Sequence, residues 1–143
     1  KTAMKMLLAA DGSKYTKKAL AFLATHERLA GADDELVVLH VQSAVPPRVK
    51  TMLGAGIVND YHRDEAQKVL EPIERFLKRH TTPFRTTWVV GSPSQEILRV
   101  AQKEKAHMIV MGTHGHGLIS RALMGSVAQR VVTDSEIPVL LVK

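Results

Sequence analysis

The sequence predicts an α/β fold: a doubly wound, five-stranded parallel sheet in the order 3-2-1-4-5, with helices on both faces. Three features of the 143 residues lead there. Strand-like and helix-like segments alternate along the whole length, the pattern of βαβ units with right-handed crossovers. The strand candidates are apolar almost throughout, as strands covered on both faces are. Two strand ends carry chemistry, Asp11-Gly12-Ser13 after the first strand and a glycine-rich stretch from Gly112 after the fourth. In open α/β sheets a ligand sits beyond the carboxyl ends of strands, where the winding direction reverses. If both ends touch one ligand, strands one and four are neighbours, and the order follows.

Taken in turn, Lys5-Met6-Leu7-Leu8-Ala9-Ala10 is the first strand. A helix over residues 16–30 puts Ala19, Leu20, Leu23 and Ala30 on its apolar face, with Gly31 as a stop. Leu36-Val37-Val38-Leu39-His40-Val41 is the second strand. Residues 42–59 read as irregular, because Pro46-Pro47 and Gly54-Ala55-Gly56 interrupt any period. A loop of that length in a compact domain is often functional. A helix over residues 60–80 buries Ala66, Val69, Leu70, Ile73, Phe76 and Leu77, and Pro72 inside it is expected to kink it. Residues 84–90 form the third strand, closed by Gly91. Ser92 then caps a helix, Pro93 takes its first position, Gln95 can close a capping box, and the helix ends near Lys105. Met108-Ile109-Val110-Met111 is the fourth strand. After the glycine stretch, Val127, Ala128, Val131 and Val132 share a helical face that ends at Asp134-Ser135, and Pro138-Val139-Leu140-Leu141-Val142 is the fifth strand.

Composition narrows the function classes. Residues 1–143 fit a single domain with a sizeable core. A hydrophobic fraction of 45% and a mean hydropathy of −0.05 are ordinary for a globular chain. No apolar run approaches the ~20 residues of a membrane span, and nothing reads as a signal peptide. Cysteine is absent, so no disulfide framework is implied, and the cytoplasm is the expected compartment. The net charge of +6 favours anionic partners, but the cations are scattered. With one Trp, two Tyr and three Phe, a base-stacking platform is poorly supplied, which makes nucleic acid an unlikely partner.

The stretch after the fourth strand holds Gly112, Gly115, Gly117 and Gly125, four of the nine glycines. A glycine-rich loop that feeds a helix N-terminus cradles anions through its amides, and a phosphate chain is the natural cargo. It is not a P-loop, since no Gly-Lys-Ser or Gly-Lys-Thr occurs in the sequence. The dinucleotide fingerprint fails too, because Gly115-His116-Gly117 meets Ser120 where a third glycine is needed. His114-x-His116 has the look of a metal pair, yet neither a cysteine nor a nearby carboxylate completes a site.

What stands is Gly112-x-x-Gly115, nine residues, then Gly125-Ser126, a spacing that resembles the nucleotide-binding motif of the universal stress protein family in its ATP-binding branch. Ala10-Asp11-Gly12-Ser13 resembles that family's first-strand signature, and Leu39-His40-Val41 its second-strand ending. Met108-Ile109-Val110-Met111-Gly112 and Pro138-Val139-Leu140-Leu141-Val142 are similar as well. The likeness covers nearly the whole chain. His107 departs from it, standing where the family usually has aspartate, and residues 42–59 carry no correspondence.

The resemblance implies ATP, with or without Mg²⁺, as the bound cofactor and adenine nucleotide as the partner. Asp11 would bond the ribose hydroxyls with the Ala10 backbone alongside, and the Val41 main chain would meet the adenine edge. Gly112, Gly115, Gly125, Ser126 and Val127 would surround the phosphates, mostly through amides, with Thr113 and His114 in the same loop. It also implies a homodimer, paired through the uncharged fifth strand at the sheet edge. Other readings stay open: Asp11 as a turn cap, Ser13 as a helix cap, Arg121 as a solvated loop side chain. At the level of function, a slow ATPase or nucleotidyl-transfer enzyme and a nucleotide-free interaction module are the alternatives. No acidic residue stands between Met111 and Val132, so any hydrolysis is expected to be slow.

Overall fold

A computed structural model describes residues 2–114 and 124–143. The strands β1 (Lys5–Ala9), β2 (Glu35–Gln42), β3 (Phe84–Val90), β4 (Met108–Gly112) and β5 (Val139–Val142) form one parallel sheet in the order β3-β2-β1-β4-β5. The predicted order and direction hold. The reversal of winding falls between β1 and β4, where Met6, Leu7 and Leu8 pair with Met108, Ile109 and Val110.

Strand periodicity divides the core in two. Met6, Leu8, Leu36, Val38 and Val110 point to one face, against α1 (Lys14–Ala24) and α3 (Ala55–Leu77). Leu7, Val37, Leu39, Ile109 and Met111 point to the other, against α4 (Pro93–Lys103) and α5 (Ser126–Asp134). Leu7, Leu8, Ile109 and Val110 are wholly inaccessible. Burying each such side chain stabilises the fold by roughly 2 kcal/mol.

Several element boundaries differ from those predicted. The first helix stops at Ala24, well short of residue 30. At its end the Thr25 hydroxyl donates back to the carbonyls of Ala21 and Phe22 at 2.9 and 3.1 Å, a local bond that competes with continuation. The intervening turn still buries Ala30, and Gly31 is needed there because a Cβ would stand 2.5 Å from the Glu27 carbonyl oxygen.

Residues 42–59 are not irregular. They contain α2 (Pro47–Leu53) and the start of α3, five residues earlier than predicted. The apparent breakers are a start and a joint: Pro47 sits at the first helical turn, where its missing N–H costs nothing, and Gly54 joins the two helices at φ +88°. Helix α3 runs on through Pro72 to Leu77. Ser92 does occupy the N-cap of α4 with Pro93 behind it, but no side-chain cap bond forms, so the capping box with Gln95 is absent. Glu96 lies over Gly91 and is paired with Arg99 at 2.9 Å.

At the amino ends of the strands, remote from β4's carboxyl end, Glu104 receives Lys5 at 3.1 Å and Arg85, which also reaches Glu35 at 3.3 Å. Hydrogen bonds from Arg85 and then Lys5 hold the Glu104 carboxyl below its ordinary range. A carboxyl whose folded pKa is depressed contributes stability above its unfolded pKa and loses it as pH falls through the folded one. Glu104→Gln is therefore expected to cost about 1 kcal/mol at neutral pH. The difference between variant and wild type should close in acid, as pH falls through the depressed folded pKa and the wild-type carboxyl protonates. Urea unfolding at the two pH values checks this; a gap that persists in acid would assign the loss to packing.

Candidate functional site

The carboxyl ends of β1, β2 and β4 and the start of α5 enclose a cleft of about 560 Å³. Ala10, Asp11, Val41, Gly112, Thr113, His114, Gly125, Ser126 and Val127 all line it. Nine of the ten residues singled out from the sequence thus share one cavity. The tenth, Gly115, lies outside the described residues, as do His116, Gly117 and Arg121.

Asp11 caps the turn after β1. Its Oδ1 accepts from the Ser13 amide at 2.9 Å and from the Thr16 hydroxyl at 2.9 Å, and Thr16 Oγ1 in turn accepts from the Asp11 amide at 3.1 Å. The turn reading of Asp11 therefore holds, and it leaves the ligand reading standing, because an ionised carboxylate has about four acceptor positions over its two oxygens. Gly12, at φ +80°, makes the bend possible. Ser13 takes the N-cap position of α1, but its hydroxyl makes no cap bond and is buried without a partner.

Across the cleft, β4 ends in a residue that only glycine can fill. A Cβ on Gly112 would lie 2.5 Å from Tyr15 Cβ and 3.2 Å from the Tyr15 backbone carbon, so its absence lets α1 close on the strand end. Tyr15 stacks at an angle on His114, with ring centroids 4.9 Å apart, and the ammonium groups of Lys14 and Lys18 each lie 5.3 Å from the Tyr15 ring centre.

Main-chain bonds show which amides are committed. Thr113 donates to the Val142 carbonyl at 3.0 Å, and Gly125 donates to the Thr113 carbonyl at 2.7 Å. The Gly125 amide is therefore spent on tying the loop shut, which alters the sequence-based expectation that it would serve the phosphates. Ser126 and Val127, in the first turn of α5 where amides lack intrahelical acceptors, line the cleft beside it. Gly125 is their N-cap and offers no side-chain cap, and no acidic residue occupies the first turn. Helix N-termini in this state attract negative charge.

The sequence did not single out the wall at the end of β2 and the start of α4. His40, Gln42, Pro93 and Ile97 line the cleft there, with Thr16 beneath Asp11. The signal available was the period of two that sets residues 40 and 42 on one side of a strand. For Pro93 and Ile97 there was none, since their approach depends on the crossover from β3. Among the described residues no three histidine, aspartate or glutamate side chains converge as a metal site. Among them, too, no helix is long and apolar enough to cross a membrane.

Comparison with known proteins gives a consistent picture. The sequence model of the universal stress protein family matches residues 3–143. A universal stress protein of Methanocaldococcus jannaschii is 30% identical over 154 residues, covering 97% of this chain and 94% of that protein. The solved structure of that archaeal protein superposes with a TM-score of 0.82 over 98% of this chain and 95% of its own. A second universal stress protein of the same organism is 36% identical over 87 residues, and this match spans 61% of the chain but 51% of that relative's length. A universal stress protein from Archaeoglobus fulgidus, solved in complex with dAMP, is 26% identical and superposes with a TM-score of 0.67 over 98% of both chains.

Proposed function

The chain belongs to the universal stress protein family, and from that premise we propose that it is an adenine-nucleotide-binding regulatory domain whose ligand is ATP. The observation that carries this reading is the juxtaposition, in one cleft, of the Asp11 carboxylate with the uncapped start of α5. A nucleotide needs both: acceptors for sugar hydroxyls, and amide donors for phosphates. The separation of those roles orients it, with the base toward Val41, Pro93 and Ile97 and the phosphates toward Ser126 and Val127. The dAMP held by the relative from Archaeoglobus fulgidus is of the same chemical class. Magnesium belongs to the proposal as a companion of the triphosphate, and the cytoplasm as the place where such a pool is met. The test is to denature protein purified from cells and identify the released small molecule by mass spectrometry. An adenine nucleotide near one per chain is expected; protein that carries none and takes up none when incubated with ATP would contradict the proposal.

The same reading includes a homodimer. β5 ends the sheet, and Val139–Val142 are each half-buried with no charge among them. Edges of this kind are usually blunted by charge or cover. Antiparallel pairing of two β5 strands across a two-fold axis would close at two subunits. Light scattering should give twice the 15.8 kDa chain mass. Leu140→Pro, which removes a ladder donor, should return a folded monomer; a dimer that survives it would move the interface elsewhere.

A further inference from the structure

His40 is 7% exposed, with Nδ1 2.8 Å from the Ala10 carbonyl oxygen and Nε2 3.0 Å from Gln42 Oε1. A carbonyl oxygen can only accept, so Nδ1 carries a proton. A neutral imidazole has a single N–H, and its Nε2 is then an acceptor. Such a nitrogen takes a bond from the Gln42 amide nitrogen and repels the amide oxygen. A half-turn about the last torsion of Gln42 exchanges the two atoms in place and moves nothing else. The carbonyl oxygen then takes the outer position. Gln42 lines the cleft next to Val41, and its main chain is anchored by the Gly91 amide at 3.0 Å. Among the described residues, no side chain other than His40 bonds its amide.

We propose that Gln42 selects 6-aminopurines, with His40 as the positioning residue that keeps its carbonyl oxygen toward the ligand. This rests on the nucleotide reading above and adds to it the group that tells one purine from another. The exocyclic amino group of adenine donates to that oxygen. A 6-oxopurine presents an oxygen in the same place, and two acceptors facing each other leave both unpaired, which is costly away from water. The main chain of Val41 offers the same groups whatever side chain it bears, so Gln42 is the separable part of base recognition.

The experiment compares ATP with inosine triphosphate, which differs at the 6-position and at N1. Titration calorimetry is run on the wild type and on Gln42→Met, which keeps the length and loses the amide. Wild type is expected to prefer ATP by about tenfold or more, and the variant to lose about five- to tenfold of that ratio. An unchanged ratio in a variant that still binds ATP overturns the proposal. Wild type that binds neither nucleotide overturns the nucleotide reading itself. If circular dichroism shows Gln42→Met unfolded, Gln42→Asn, which withdraws the amide by one methylene, reads the same ratio. The role of His40 has its own readout. Imidazole ¹⁵N shifts at about pH 8 should show Nδ1 protonated and Nε2 bare; a ring protonated at Nε2 would remove His40 from the proposal.

Discussion

Gly125→Val is expected to weaken ATP binding by at least about two orders of magnitude, equivalent to roughly 2.7 kcal/mol or more, while leaving the fold intact. Gly125 is buried, lines the cleft and stands at the N-cap of α5 with φ −62° and ψ 154°. Valine adopts those angles readily, so the backbone and the bond from the residue 125 amide to Thr113 should persist. What changes is the space in front of the first-turn amides, where a β-branched side chain would keep phosphate away. Gly125→Ala should fall between the two. Calorimetric titration with ATP, alongside thermal melting, separates lost contact from lost fold. A valine variant with wild-type affinity would show that the phosphates lie elsewhere.

Gly112→Ala should act the other way, through stability. Its added methyl would meet Tyr15 Cβ at 2.5 Å, with backbone close behind at 3.2 Å, so no flexible side-chain tip can yield. Overpacking of this kind costs about 3 kcal/mol, or roughly a 10 °C fall in melting temperature for a chain of this size. Because α1 carries Tyr15 and also begins at the Asp11 turn, the displacement should loosen the cleft as well. Scanning calorimetry checks the first effect. An unchanged melting temperature would mean that α1 moves aside freely, and the tight seating of Tyr15 on β4 would not be a determinant of the fold.

The sequence showed the sheet clearly because its three central strands are buried on both faces, and Leu36–Leu39 or Met108–Met111 can hardly be anything else. Strand order was legible for a different reason, a chemical one: Asp11 and Gly112 make sense together only if β1 and β4 are neighbours. Helix ends were less legible. Whether Thr25 ends α1 depends on its hydroxyl turning back to Ala21, which competes closely with another helical turn. Pro46-Pro47 and Gly54 looked like breakers when they are a start and a joint, a distinction set by position within a helix and not by residue type. In the cleft, the residues contributed by loop ends could be named in advance, since glycine and aspartate there have few other uses. Commitments inside the site could not. That the Gly125 amide closes the loop while Ser126 and Val127 begin the open turn is a matter of register, as is the pairing of His40 with Ala10 and Gln42.

Calorimetric titration of ATP into nucleotide-stripped wild-type protein asks whether the cleft between β1 and β4 holds ATP. Saturable binding at one site per chain is expected, which inorganic triphosphate alone should reproduce only weakly, because on the proposed reading ribose and base contribute at Asp11 and along β2. Absence of heat and of competition at millimolar ATP, from protein shown to be folded, would contradict it.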